Sequence, residues 1–587
     1  MTNQKKTTFR SRLERHESEL KALYLELYGD EAMFAELLSG METFCARRGA
    51  ALTARDAEKG GTEWYKSQEM LGMMLYIDNF AENLAGVREK LSYLEKANVN
   101  YIHLMPFLDT VPERSDGGYA VADFRKVRPD LGTMEELAAL TEACHEKGIN
   151  VCMDFVMNHT SEDHEWAKRA RAGEGQYMNR YFFYADPSVP KAYDKTVPQV
   201  FPTTAPGNFT WLPDAGHWVM TTFYPYQWDL NYANPVVFNE MMFNFLYLAN
   251  QGVDVVRVDA TPNIWKEIGT SCRNLPQVHT IMRMMRLIGE IVCPSVILLG
   301  EVVMAPELVA PYFGTVEKPE CHLLYNVTTM ATTWHTVATK DVRLLRQQLD
   351  VVAKLPKEQV FLNYLRCHDD IGWGLDYDTL SLWGMEQVPH KKYLNDYFRG
   401  FTGGDARGEL YNEDPVTGDA RLCGTAASLC GLEGRDKEKA IRLDLMLHAM
   451  MLFQSGIPVL YSGDEIGQCN DWDYKLDPNK VQDSRYLHRG KMPWDLAERV
   501  DDPETSEAKI FHGLAKLEQL RRQGKAFSAQ ADFWTFDTGS DAVLGLGRWY
   551  EGEGVLGLFN FAEEARVVFL ENGTVTVPAG DYLWINL

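Results

Sequence analysis

The feature that most constrains this chain is a succession of eight short apolar runs between residues 73 and 463, separated by longer stretches of helical periodicity. The runs are MMLYI (73–77), YIHLMP (101–106), VCMDFVMNH (151–159), VDVVRVDA (253–260), VILLGEV (296–302), HLLYNV (322–327), VFLNYLRCH (360–368) and PVLYSG (458–463). Helical patterns such as 84–97, 133–148, 235–252 and 439–456 lie between them. Alternating strands and helices signal βα units and a parallel sheet, and eight such units close into an α/β fold of the (β/α)8 TIM-barrel type. The barrel is expected over residues 72–529.

Before it, residues 9 to 45 carry Phe9, Leu13, Leu20, Tyr24, Leu27, Phe34 and Leu38 at helical spacing with charges between them, which predicts a helical N-terminal domain over 1–71. Two connections, of about 75 and 70 residues, are too long for simple crossovers. They are expected to be inserted domains after strands three (160–234) and seven (371–436), on the face where barrel enzymes build their active sites. From about 530, the runs FWTF, AVLGLGRWY, GVLGLFNF, ARVVFL and YLWINL alternate with turn signals. They predict a C-terminal antiparallel β domain, a β-sandwich over 530–587.

Composition then narrows the partners. The 59 basic and 83 acidic residues leave a net charge of −24. Such a surface repels phosphate backbones and anionic lipid, which argues against nucleic acid and membrane and for a neutral partner. Ten cysteines without a CxxC pair or zinc spacing are expected to be reduced. The N-terminus lacks an apolar signal segment, and no run of about 18 apolar residues occurs, so a cytoplasmic protein is expected. The sequons at Asn208 and Asn326 are read as chance matches.

Charged and polar residues gather where four of the expected strands end. These are Asp154, Asn158 and His159 on the third, Arg257 and Asp259 on the fourth, Glu301 on the fifth, and His368, Asp369 and Asp370 on the seventh. A lone Asp or His at a strand end is ordinarily a cap or a satisfied loop residue. Four convergent ends, with carboxylates among them, suit cleavage of an acetal with retention, which needs a nucleophilic carboxylate and a protonated acid/base. Arg257 and Asp259, two apart on a strand, share a face, so the guanidinium can hold Asp259 ionised. Glu301 follows the apolar run VILLG, where desolvation raises its pKa toward the acid form.

DFVMNH, GVDVVRVDA, GEVV and CHDD, in this order, resemble the four signature regions of the α-amylase family of retaining glycoside hydrolases. The resemblance implies Asp259 as nucleophile, Glu301 as general acid/base and Asp369 as the third carboxylate, with His159 and His368 on hydroxyls of the glucosyl unit. A narrower resemblance, spanning nearly the whole chain, is to the amylosucrase group. It is carried by 115–133, 158–169, 221–235, 264–277, 366–373, 417–432 and 483–489. It implies a pocket closed by an Asp116–Arg485 salt bridge, which taken alone would read as a surface pair of little consequence. It also implies Tyr119 and Phe223 lining the ring, and Asp370 and Arg421 on the fructosyl side.

The implied activity is transfer of glucose from sucrose to an α-1,4-glucan or to water by double displacement. The alternatives are a sucrose hydrolase, a sucrose isomerase or another α-glucosidase of the family, and, in a different class, a catalytically dead carbohydrate-binding subunit. All three acids are present, which disfavours the last. Pro198 stands where a basic residue is expected in the acceptor-side loop, and Val303 replaces a larger aliphatic residue. No cofactor is expected. Related amylases bind calcium near the equivalent of Asn158, but no acidic loop here has Ca²⁺-ligand spacing, and no essential metal is expected.

Overall fold

The computed structural model describes residues 8–587 apart from residues 305 and 572. All eight expected strands form, each shorter than its apolar run: β1 (Gly72–Leu75), β2 (Tyr101–Leu104), β3 (Asn150–Val156), β4 (Val255–Asp259), β5 (Ile297–Gly300), β6 (Leu323–Tyr325), β7 (Val360–Tyr364) and β8 (Ile457–Tyr461). Every neighbour is parallel, and β1 pairs with both β2 and β8 to close the barrel. Gly72 sits at the closure, where a Cβ would meet the Tyr101 ring at 2.6 Å and the Val459 side chain at 2.7 Å, so only hydrogen fits. The ends of the apolar runs leave the strands as loops, which places the polar residues at the barrel's C-terminal mouth.

The helices between strands bury apolar faces against this barrel. Helix Met134–Glu146 starts with a capping box between Thr133 and Glu136, and helix Pro235–Ala249 carries proline at its first turn. The N-terminal segment, continuous by periodicity, is three helices: α1 (Phe9–Tyr28), α2 (Glu31–Ala46) and α3 (Ala50–Lys59). Gly29 ends α1 in a left-handed conformation (φ 64°), and the Asp30 carboxylate caps α2 by accepting from the Ala32 and Met33 N–H groups, each at 3.0 Å. Tyr24, Phe34 and Phe238 form one aromatic cluster, and Arg283 of helix Pro276–Val292 meets Glu19 at 2.7 Å, so α1 and α2 lie on outer helices of the barrel. Gly40 allows the contact, because a Cβ there would overlap the Phe243 ring.

Both long connections fold into small antiparallel sheets. After β3, strands His159–Ser161 and Gln227–Asp229 pair, and a three-stranded sheet joins 183–184, 217–220 and 209–212. After β7, Arg421–Cys423 pairs with both Ile371–Gly372 and Glu409–Tyr411. The C-terminal region has a four-stranded antiparallel sheet (Asp532–Phe536, Val543–Tyr550, Glu553–Asn560 and Asp581–Asn586) and a hairpin of Arg566–Leu570 with Gly573–Val577. The last of these, Gly573–Val577, was not among the expected runs, because its exposed threonines leave no apolar run. No helix among the described residues is long and apolar enough to cross a membrane.

Candidate active site

The floor of the barrel mouth is built around one guanidinium. Arg257 on β4 is buried and reaches three carboxylates. Its Nη1 lies 2.7 Å from Asp154 Oδ1 and also contacts Asp259 Oδ1, while Nη2 lies 3.1 Å from Glu301 Oε1. Register explains the convergence: Arg257 is opposite Asp154 on β3 and Leu299 on β5, so the strand ends bring the acids to one height. Directly after Asp259, Ala260 turns left-handed (φ 48°) and donates its N–H to Glu301 Oε2 at 2.7 Å. That bond ties the orientation of Glu301 to the end of the neighbouring strand.

The expectation that Arg257 serves Asp259 is widened, because a single positive charge is shared. Burial pushes Asp259 well above the ordinary carboxylate range, with Arg257 opposing and Glu301 adding to the rise. Burial raises Glu301 as well, with Arg257 again opposing and Asp369 adding. Two such neighbours titrate as a unit and hold one proton between them. Arg257 makes its closer contact with Asp259, which favours the charge there and the proton on Glu301. Asp154 differs: against the upward push of its burial, Arg257 and His103 hold it below its usual value, with His103 Nε2 at 2.9 Å. It stays ionised and fixes Arg257.

The other expected residues surround this floor. His368 Nε2 lies 2.6 Å from the Tyr119 hydroxyl and 3.2 Å from Asp369 Oδ2, and its ring stacks on Tyr119 at 5.3 Å. His159 Nε2 donates to the Tyr119 carbonyl at 3.2 Å, and its ring lies 5.3 Å from Phe223. Burial lowers His159 to about 4 and His368 far below its ordinary value, so both imidazoles are neutral at pH 7. Asp369, with a side chain 36% exposed, is the most open of the acids. Asp116 and Arg485 form a contact of 3.0 Å with both side chains about nine-tenths buried or more, so the pair is not a surface one. Arg485 also grips Asp483 at 2.7 Å and lies over the Tyr411 ring. Gln227 donates to the other Asp116 oxygen at 3.2 Å. Asp370 meets Arg421 at 3.3 Å toward the rim.

Several residues of the site were not singled out by sequence. Arg489 lies 3.7 Å from Asp369 Oδ1 and donates through Nε to the His368 carbonyl at 2.7 Å. His488 donates to the same carbonyl at 3.1 Å. Both stand in the stretch DSRYLHR, whose second arginine was the available signal. His103 was a lone histidine in an apolar strand. Cys367 accepts the Asp369 N–H through its sulfur at 3.4 Å.

Asn158, where calcium would be expected by family resemblance, has another partner. Lys266 Nζ lies 2.8 Å from Asn158 Oδ1, 2.9 Å from Asp229 Oδ2 and 2.6 Å from the Asn263 carbonyl, and the Lys266 and Asp229 side chains are fully buried. The oxygens a hard cation would need are already taken by an ammonium, so the donor set does not fit a calcium ion. The same lysine ties the first insertion, through Asp229, to the barrel.

Residues 58–371, more than half of the chain, match the family described as Alpha amylase, catalytic domain. The chain belongs to the α-amylase family. It is an enzyme of that family, acting on α-glucosyl groups. It is 31% identical over 504 residues to a trehalose synthase of Pimelobacter sp. (strain R48), covering 80% of each chain. It is 28% identical over 465 residues to a glucosylglycerate phosphorylase of Spirochaeta thermophila, covering 78% of this chain and 74% of that one. Among solved structures, the sucrose 6F-phosphate phosphorylase from Thermoanaerobacter thermosaccharolyticum aligns with a TM-score of 0.67 at 19% identity, over 89% of this chain and all of that one. A trehalulose synthase aligns with a TM-score of 0.66 at 18% identity, over 89% and 98%. At these identities the two structures speak for the fold alone.

Proposed function

We propose that the protein is an exo-acting, α-retaining glucosyl-transferring enzyme whose donor is a small α-glucoside, sucrose. The observation that carries this reading is the buried Asp116–Arg485 pair, whose arginine lies 4.0 Å from Asp369 Oδ1. A pocket shut behind one sugar ring accepts a terminal glucosyl unit and excludes the interior of a polymer. In the first step Glu301 gives its proton to the bridging oxygen while an Asp259 oxygen attacks C1. The bond to fructose breaks and a β-glucosyl ester forms. Glu301, now a carboxylate, then removes a proton from an acceptor hydroxyl. That oxygen attacks C1 from the opposite face, and the ester electrons return to Asp259, so the α configuration is retained.

Asp369, open to the pocket and braced by His368 and Arg489, is placed to grip ring hydroxyls and stabilise the cation-like transition state. The neutral His159 and His368 supply hydrogen bonds to hydroxyls, and the Tyr119 and Phe223 rings give apolar faces to the sugar. Asp370 and Arg421 hold the leaving fructosyl unit and then the acceptor. In an amylosucrase-like enzyme that acceptor is an α-1,4-glucan. The relatives named for synthesis of trehalose and trehalulose favour a second reading, in which a small sugar takes the glucosyl unit and the reaction is an isomerisation. Water as acceptor gives hydrolysis.

The test is the ratio of free glucose to fructose released from sucrose by the purified protein. A ratio near one means hydrolysis. A ratio well below one means transfer, with iodine staining or disaccharide chromatography separating glucan from isomer. No consumption of sucrose would sink the sucrose assignment.

A further inference from the structure

The two insertions meet beside the Asp116–Arg485 pair in contacts that the mechanism above does not use. The Tyr224 hydroxyl of the first lies 2.6 Å from the Tyr411 hydroxyl of the second. Phe201 packs on both rings, with centroids 5.2 Å from Tyr224 and 6.4 Å from Tyr411. Thr204 Oγ1 donates to Asn412 Oδ1 at 3.1 Å, and Thr203 contacts the same oxygen. Asn412 is left-handed (φ 52°), which turns the chain directly after Tyr411. Burial raises the pKa of both phenols, so each hydroxyl keeps its proton and can donate.

These contacts close a ring with the ion pair. From Tyr411 the ring passes to Arg485, whose guanidinium lies 5.0 Å from the centre of the Tyr411 ring. Arg485 Nη2 meets Asp116 Oδ1 at 3.0 Å, and the other Asp116 oxygen accepts from Gln227 Nε2 at 3.2 Å. Gln227, fully buried, accepts the Tyr224 N–H through Oε1 at 3.0 Å, which fixes the amide with its NH2 group toward Asp116. The Tyr224 side chain then returns the ring to Tyr411. Ser484 Oγ, next to Arg485, donates to the Leu410 carbonyl at 3.0 Å, so the segments that carry Arg485 and Tyr411 are joined a second time. In a buried network each contact limits the freedom of the next, and the ion pair is held from both sides. We propose that Tyr224 and Tyr411 are positioning residues, whose hydroxyl bridge clasps the two insertions together and holds Asp116 and Arg485 at the depth of one glucosyl ring. This rests on the one-glucosyl donor reading and names what sets its length. Neither tyrosine takes part in the bond changes at C1.

The test removes each hydroxyl alone, with Tyr224→Phe, Tyr411→Phe and the double variant of the full chain, all of which keep the packed rings. The donors are sucrose, 4-nitrophenyl α-glucoside and 4-nitrophenyl α-maltoside, the last read as maltose released. Each single variant should raise the KM for sucrose and for the glucoside about threefold to tenfold, the effect of losing one neutral hydrogen bond, while kcat stays within about twofold. The double variant should be no worse than either single one, because both remove the same bond. Maltose release relative to turnover of the glucoside should rise at least about fivefold as the end of the pocket loosens. Unchanged KM in both single variants, additive effects in the double variant, or an equal fall in kcat/KM for glucoside and maltoside would overturn the clasp. Calorimetric titration of glucose, which needs no turnover, separates this from failure of the sucrose reading. Glucose binding weakened about threefold to tenfold in both single variants supports the clasp even if sucrose is not consumed. Sucrose consumption with unchanged glucose affinity in both variants removes the clasp alone.

Discussion

The floor and the rim of the pocket are built in opposite ways. On the floor, one buried arginine serves Asp154, Asp259 and Glu301, and strand register brings the three acids to it. At the rim, Arg421 has one carboxylate at 3.3 Å and is 36% exposed, and Asp369 is as open. In the mechanism we propose, the floor carries the reaction, where a displacement of about 1 Å is costly. The rim meets the acceptor in that mechanism, and looser loops there can change the outcome without disturbing the chemistry. The rigid site and the variable site are therefore one pocket at two depths.

The largest expected effect tests the floor directly. Asp259→Asn should lower fructose release from sucrose by at least about 10⁴-fold while the thermal midpoint stays close to that of the unmodified protein. Appreciable turnover in a pure sample would break the contrast. Next in size is the lysine that joins floor and insertion. Lys266→Ala should destabilise the protein by about 3–5 kcal/mol in chemical denaturation, because Asp229 is left buried and unpaired, and added calcium tests whether a cation can replace the ammonium. Asp116→Asn, at the closed end, should raise the KM for sucrose about tenfold to a hundredfold by weakening a buried charge-assisted contact. A smaller effect is expected for Arg421→Ala, which should change the glucose-to-fructose ratio by about fivefold and leave the pH profile of fructose release in place.

That profile sharpens the comparison further. Burial raises Glu301, so its proton survives to higher pH than an exposed glutamate's, and activity should fall only as pH passes through this raised value. The sign follows from the role: once Glu301 has lost its proton, the leaving oxygen has no donor. Measuring kcat/KM against pH for the unmodified protein and for Arg421→Ala should give the same alkaline limb. A shift of that limb in the rim variant would show that the two depths are coupled.

Much of the floor was legible in the sequence, because a strand obeys a simple period. The i, i+2 spacing of Arg257 and Asp259 places them on one face, and the apolar run before Glu301 foretells its desolvation. The short strand GTVTV and the break at Gly29–Asp30 were less legible, since a polar edge strand has no apolar signature and helical periodicity continues across a capped turn. Asp154 was seen as a strand-end acid, but its partner His103 looked like any histidine in an apolar run. Arg489 lies in the stretch 483–489, where nothing in the sequence signals its contact with Asp369.

By itself the sequence determined the barrel, the set of acids at its mouth and the family signature, because these depend on local periodicity and on residues that end strands. Only the tertiary structure decided who neutralises whom. Asp116 and Arg485 are 369 positions apart in sequence, and Lys266 meets Asn158 across 108. Such pairs depend on how long loops fold back over the barrel mouth, and no period in the chain records that approach. The same holds for charge. A net −24 favours a neutral partner when averaged over the surface, yet the barrel mouth is organised around one buried arginine that meets three carboxylates.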